Sequence, residues 1–337
     1  MMGCKKFLDR EPIAQMSSAG FYDNKDNARL ATNGFYDPLG VERKYEGILY
    51  ALGDCAAGDS EVSGEDNGTD QSAGQEIMLF KALPSNLYCK NFATQAYKGI
   101  QRINNFLIET TDVNYDAKQF RGEAFFMRGF YYFDIVRILG PMPIYTEPVG
   151  ENDMTRGNRA DGDDAKGTKQ MEKMYEQIIS DFEQAAELLP TRDKYTGNNV
   201  GRATKGAAWA YLAKVYAFMA SSNEIFTDKS KNDYWQKVVE YSELVNTQGG
   251  GYGLEDDYHF LFTTGAENGK ESIFEVQYVS GVGKWGDDSE SSPRVIDFSP
   301  RGVFSFSTWG YGVNAPTYNL VSQFDLNKNG TISHYTR

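Results

Sequence analysis

"RGEAFFMRGFYYFDIVRILGPMPIY", residues 121–145, sets seven aromatic side chains in twenty-five positions and then runs into Gly140-Pro141-Met142-Pro143. Wound as a helix, Phe120, Ala124, Met127, Tyr131, Ile135 and Ile138 form one apolar stripe. Phe125, Tyr132, Val136 and Leu139 form a second, and Phe126, Phe130 and Phe133 a third. A helix apolar on nearly every side has to be enclosed by neighbours. Gly122 and Gly129 lie seven apart on one face, where missing side chains let another helix approach closely. Gly140-Pro141 ends the helix, because proline removes the donor needed to continue it. The rings therefore read as core, and a binding surface has to be sought elsewhere.

Outward from this stretch, apolar residues at three- and four-residue spacing predict helices near 20–38, 91–110, 116–139, 169–189, 203–221 and 231–246. In "GRATKGAAWAYLAKVYAFMA", 201–220, Ala207, Ala208, Ala210 and Ala213 alternate with Trp209, Tyr211, Tyr216 and Phe218. Small-on-large nesting of this kind belongs to tetratricopeptide-like helix hairpins, and 231–246 is expected to be the second arm against 203–221. "NGFYDPLG" at 33–40 and "RGFYYFDIVRILG" at 128–140 share a Gly-Phe-Tyr core, a faint sign of the same repetition. The expected fold class is mainly α, a helix-hairpin scaffold over 20–250 followed by a loop-rich, partly β region over 251–337. Within the later region "ESIFEVQYVS", 271–280, alternates enough to be a strand. Two polar, Gly-rich excursions, 53–76 and 147–168, are too long to be plain connectors.

Composition narrows the function. The 337 residues carry a formal net charge of −13 and a pI of about 4.8, which argues against nucleic acid, whose phosphates demand a basic face. Twenty-two Tyr and twenty-one Phe stand against two His, so rings abound while the commonest proton-transfer side chain is scarce. That balance favours binding over catalysis. Three cysteines, Cys4, Cys55 and Cys89, show neither a disulfide framework nor metal spacing, and leave a Cys55–Cys89 pair open. No run of eighteen apolar residues predicts a membrane-spanning helix. "MMGCKKFLDREP" opens as a processed bacterial lipoprotein does, with Cys4 as the acylated residue, although a free surface cysteine fits this segment equally well.

Several stretches together resemble the SusD/RagB family of outer-membrane nutrient-binding lipoproteins. They are "CKKFLDREP" at 4–12, "YKGIQRINNFL" at 97–107, "RGEAFFMRGFYYFDIVRILGPMPIYTEPV" at 121–149 and "GRATKGAAWAYLAKVYAF" at 201–218. "YGLEDDYHFLF" at 252–262, "ESIFEVQY" at 271–278 and "NAPTYNLVSQF" at 314–324 follow in family order. The resemblance implies a single SusD-like domain over 1–337, lipidation at Cys4 and a cell-surface location at the outer membrane. It implies capture of oligosaccharide or polysaccharide, and a TonB-dependent outer-membrane transporter of the SusC kind as partner. It implies no cofactor and no catalysis. Family members generally run past "LVSQF", so a C-terminal part of the expected domain is absent from residues 1–337.

Sugar recognition needs apolar rings for the C–H face of a pyranose and planar polar groups for its hydroxyls. Loop residues of those types are the candidates: Trp285, then Trp309, Tyr311 and Asn314 in "STWGYGVN", with Asp66, Asn67 and Tyr88 around the first excursion. Loop placement ranks Trp285 and Trp309 above Trp209 and Trp235. Neutral glycans suit the negative balance better than sulfated or uronic ones, although Lys284, Arg294 and Arg301 weigh against this.

Other motifs carry less. "GVGKWG" at 281–286 matches a dinucleotide fingerprint, but no helix opening follows it. Asp325, Asn327 and Asn329 fall at calcium-loop spacing, yet Thr336 stands where the closing Glu belongs, and a polar turn fits better. His259, among Tyr258, Phe260 and Phe262, is expected to be packed. No nucleophile or metalloprotease motif is found. A helical glycoside hydrolase or lyase with a carboxylate pair is one alternative, and a helix-hairpin scaffold binding peptides on its concave face is another.

Overall fold

The computed structural model describes residues 20–41, 45, 47–62, 71–150, 166–222, 226, 231–278, 297–299 and 312–323. It is mainly helical. The chain divides into two compact units, the first formed by 1–36 and 99–275 and the second by 37–98 and 276–337.

The first unit is built from α1 (Lys25–Gly40, as far as Tyr36), α4 (Leu87–Glu109, from Gly99), α5 (Lys118–Leu139), α6 (Thr168–Leu188), α7 (Lys205–Ser221) and α8 (Lys231–Gln248). Each of α5 to α8 packs on the next in sequence, and α7 with α8 forms the hairpin expected from the small-on-large pattern. Within α5 every residue from Gly122 to Val136 is buried, which confirms the enclosed helix. A Cβ on Gly122 would lie 2.9 Å from Leu189, and one on Gly129 would lie 3.3 Å from Phe182, so the two glycines are where α6 and its end come close. Phe126 sits at the centre, edge-on to Phe182, Tyr211 and Phe274 with centroids 5.6, 5.4 and 5.1 Å away. Full burial of one such ring contributes about 1.5–3 kcal/mol.

Local polar groups settle the ends and defects of these helices. Thr204 caps α7 by accepting from the Ala207 N–H at 3.0 Å. Pro38 lies inside α1 and cannot donate to the carbonyl four residues back. That carbonyl, Gly34 O, accepts instead from Arg102 Nη1 at 3.0 Å, which lets the helix run on to Gly40. Asn104, fully buried, donates to Tyr145 O and Glu147 O at 2.9 and 3.1 Å, tying down the chain after the Gly-Pro stop.

Three expectations fail. Residues 271–278 form no strand. Glu271 and Glu275 accept from the backbone N–H groups of Glu255 and Asn268, and Phe274 is drawn into the ring cluster of α5, so side chains hold the segment where a ladder was expected. His259 is exposed, because Tyr258–Phe262 is a single 3-10 turn that projects its rings. Residues 53–76 are not one irregular loop: a π-turn (Ala51–Cys55), β1 (Ser60–Val62) and α3 (Ser72–Met78) lie in or across it. Cys55 and Cys89 are both free thiols, which closes the question of their pairing. Among the described residues no helix is long and apolar enough to cross a membrane.

The second unit holds the end of α1, α2 (Gly47–Tyr50), the π-turn, β1, α3, the first part of α4, β2 (Asn314–Pro316) and α9 (Tyr318–Val321). β1 and β2 pair antiparallel, with Ser60 opposite Pro316 and Val62 opposite Asn314. Thr317 fixes the ribbon by donating its N–H to Asp59 O at 2.9 Å and its hydroxyl to Gly58 O at 2.8 Å.

Candidate functional site

Two of the site residues expected from the sequence, Tyr88 and Asn314, lie in described parts of the second unit, and the fold connects them through Val62. Asn86 sets the first. Its buried amide oxygen accepts from the N–H groups of Tyr88 and Cys89 at 3.0 and 3.3 Å, opening α4, while its Nδ2 donates to Ala73 O and Glu76 Oε2. Tyr88 is thus the second residue of α4 and not a loop residue. Its ring lies over Gly47 and Gly74, where a Cβ on either would come within 3.3 Å of it, so two glycines make the seat for one aromatic.

Tyr88 does not act alone. Its hydroxyl donates to Gln71 Oε1 at 2.8 Å and meets the Tyr50 hydroxyl at 3.0 Å. Burial and the neighbouring Tyr88 push the Tyr50 phenol far above its ordinary value, so the Tyr50 hydroxyl stays protonated. Phe298 stands edge-on to Tyr50 with centroids 5.5 Å apart and is 36% exposed. Tyr88, Tyr50 and Phe298 form an aromatic step, joined at the two tyrosine hydroxyls, in which each side chain is partly exposed.

Asn314 takes a different role from the one its type suggested. Its Nδ2 donates to Asp54 Oδ2 at 2.8 Å, and its Oδ1 receives the Cys55 thiol at 3.7 Å. Burial pushes that thiol up, which keeps it a neutral donor. These bonds tie β2 to the π-turn at a half-buried position.

The backbone adds an organising fact. Gly312 N–H donates to Ser299 O at 2.9 Å and Val313 N–H to Asp297 O at 2.8 Å, so the chain leaves after Ser299 and returns at Gly312 beside it. Val62, from which the chain leaves β1, is paired with Asn314, and Gln71, where it returns, is held by the Tyr50 and Tyr88 hydroxyls. The described ends of both segments that carry Asp66, Asn67, Trp309 and Tyr311 are therefore gathered at one end of the β1–β2 ribbon. Asp66, Asn67, Trp285, Trp309 and Tyr311 themselves lie outside the described residues, as do Cys4, the calcium-spaced Asp325, Asn327 and Asn329, and the "GVGKWG" stretch. Of the two lower-ranked indoles, Trp235 is 46% exposed on α8 and Trp209 half-buried on α7. Among the described residues no group of three or more His, Cys, Asp or Glu could hold a metal ion.

Tyr50, Gln71 and Phe298 were not singled out by the sequence. Tyr50 lies just before the first excursion and Gln71 within it, and no spacing in the sequence marks them as a pair.

Comparison with known proteins gives the family. The SusD-like family model, described as starch-binding associating with outer membrane, matches residues 6–217. The chain belongs to the SusD-like family. It is 25% identical over 336 residues to SusD-like protein P2 of Formosa agariphila, covering 96% of this chain and 60% of that protein. Its fold is similar to that of a laminarin binding SusD-like protein, with a TM-score of 0.69 and 25% identity over 89% of this chain and 63% of that one. It is also similar to surface glycan-binding protein A from Bacteroides thetaiotaomicron in complex with laminarihexaose, with a TM-score of 0.68 and 22% identity over 89% of this chain and 61% of that one. The chain thus spans about three fifths of the length of these relatives.

Proposed function

We propose that this chain forms the scaffold and part of the binding face of a protein that captures oligosaccharide or polysaccharide at the cell surface without transforming it. The observation that carries the reading is the SusD-like match over 6–217, together with similarity to two proteins of the same fold whose ligands are laminarin and laminarihexaose. The aromatic step of Tyr88, Tyr50 and Phe298 supplies ring surface for stacking. Trp285, Trp309 and Tyr311 add rings within region 251–337, and Asp66, Asn67 and Asn314 add planar polar groups. The surplus of acidic residues favours a neutral glycan over a uronic or sulfated one. A lipid on Cys4 holds the protein at the outer membrane, and a SusC-like TonB-dependent transporter receives the cargo.

Trp309→Ala tests the reading. In affinity electrophoresis through gels containing laminarin or starch, the wild-type chain is retarded and the variant runs closer to its mobility in plain gel, with an unchanged circular dichroism spectrum. Equal retardation of both proteins removes Trp309 from the site. Retardation by no glycan of a broad panel, or release of reducing ends on incubation, overturns the function.

A further inference from the structure

The first unit holds a cavity of about 200 Å³ that none of the binding residues named above touches, lined among others by Arg192, Tyr195, Arg202, Tyr252, Phe274 and Glu275. Its walls are fixed by the chain itself. Gly250 and Gly251 take left-handed backbone at φ +96° and +93°, and a Cβ on Gly250 would stand 2.7 Å from Arg192 N, so the glycine run is pressed against the 192–193 turn. The Tyr252 hydroxyl is 2.7 Å from Thr204 Oγ1, the capping group of α7, and the Arg192 guanidinium lies over the Tyr252 ring at 5.4 Å. Tyr195 donates its hydroxyl to Ala203 O at 2.9 Å. Both phenols are spent on the protein, and what they offer the cavity is ring surface.

The donors are less fully used. Arg202 gives Nη1 to Glu123 Oε2 at 2.7 Å and to Thr32 Oγ1 at 2.9 Å, and Nη2 to Asn33, but its Nε is buried without a partner. That nitrogen is sealed from solvent, so it costs about 1–3 kcal/mol and is not a donor offered to the cavity. Arg192 gives Nη1 to Gly251 O at 3.2 Å and Nη2 to Asn268 O at 2.9 Å, leaving further donors of its five-proton fork. Acceptors face the same space: the Glu275 carboxylate, whose Oε2 takes the Asn268 N–H at 3.0 Å, and Asp193, held below the usual carboxylate range by Lys194 and Thr191.

A wall carrying donors and carboxylates together does not suit an anion, since Glu123 already meets the Arg202 charge and Glu275 and Asp193 would repel a second one. Hydroxyl groups suit it, because each both donates and accepts and a vicinal pair fits a guanidinium or carboxylate edge. Ring carbons of the ligand then meet Tyr195, Phe274 and Ile273. We infer that this cavity is a separate binding site for a single neutral sugar ring, a polyol of pyranose size, in the helical unit. The inference stands apart from capture of a polymer: a space of about 200 Å³ is the size of one ring.

The test uses the full chain, deuterated and nitrogen-15 labelled, titrated with D-glucose, D-mannose and D-xylose, with D-glucuronate as the anionic comparison. Saturable shifts are expected at the amides of Gly201, Thr204 and Tyr252 with dissociation constants of order 1–10 mM, as a single-ring site gives. Val200→Trp places bulk at the half-exposed rim and is expected to weaken them at least about tenfold. The same variant keeps wild-type retardation in laminarin or starch gels. Ile273→Trp replaces it if melting shows Val200→Trp to be unfolded. Absence of saturable shifts up to about 50 mM, as for a cavity holding water alone, overturns the site. So do stronger shifts with glucuronate than with the neutral sugars, and so does undiminished binding in folded rim variants. Wild-type protein that binds glucose here but is retarded by no polymer would sink the polysaccharide reading and leave this one standing.

Discussion

The rings of α5 and the rings around Tyr88 are made of the same side chains and are used in opposite ways. In α5, Tyr132 is fully buried and its hydroxyl closes a circuit with one residue, donating to Tyr145 O at 2.8 Å and accepting from Tyr145 N–H at 2.7 Å. In the second unit, Tyr50 and Tyr88 share one side-chain amide, Gln71, and each is only half-buried. The first arrangement leaves no ring face for a ligand. The second ties both hydroxyls to one amide and leaves each residue partly exposed, and a stacking surface requires such exposure. Density of aromatic residues therefore does not mark a site; the location of their partners does.

The comparison breaks most visibly at the charge that backs α5. Arg128 grips Asp181 of α6 with two bonds, Nε to Oδ2 at 3.0 Å and Nη2 to Oδ1 at 2.7 Å, and gives Nη1 to Asn104 Oδ1 at 2.9 Å. Burial opposes the Arg128 charge, and Asp181 more than restores it, so the guanidinium pKa lies above its ordinary value. Arg128→Met leaves Asp181 fully buried with Gln177 Nε2 but without its opposite charge, and an expected loss of about 3–5 kcal/mol should appear in urea unfolding. Adding Asp181→Leu is expected to return part of that loss, because the stranded charge is then gone. A double variant no better than the single one would mean that the pair's geometry, more than its charge, holds the two helices.

Much of this scaffold was legible beforehand, and the reasons are local. The helix expected at 169–189 is found at Thr168–Leu188, and that at 203–221 at Lys205–Ser221, because the apolar period is written in consecutive residues, with Thr204 capping the second. The helix expected to begin at 91 begins at Leu87, since Asn86 supplies a cap that apolar spacing does not register. The aromatic step was only half legible. Tyr88 was named, but Tyr50 and Gln71 stand 38 and 17 residues from it, and no period links such separations. The amide of Asn314 looked available in sequence; its partner Asp54 lies 260 residues away. Composition misread 271–278 for a related cause: alternation suggested a ladder, while Glu271 and Glu275 found backbone donors nearer to hand.

The next test removes one oxygen from the sealed region. Tyr132→Phe takes from Tyr145 the hydroxyl that meets both its N–H and its C=O, although the C=O keeps Asn104 Nδ2, and the expected loss is about 1–3 kcal/mol by thermal or denaturant unfolding. Glycan retardation in gels should not change. A variant as stable as the wild type would show that water reaches Tyr145 and that this end of α5 is less closed than its burial indicates.

The smallest effect is expected from the same substitution in the open region, and it discriminates best. Tyr88→Phe removes a hydroxyl that donates to Gln71 at 2.8 Å, but the Tyr50 hydroxyl, 3.4 Å from the same oxygen, remains to serve it, and water has access to a half-buried group. The expected loss is about 0.5–1.5 kcal/mol, at the low end because no donor or acceptor is left stranded. The ring itself stays over Gly47 and Gly74, so stacking is kept and glycan retardation should match that of the wild type. A loss as large as that of Tyr132→Phe would erase the distinction between sealed and open rings. Unchanged stability with weakened retardation would move the Tyr88 hydroxyl from the frame of the site into direct contact with the sugar.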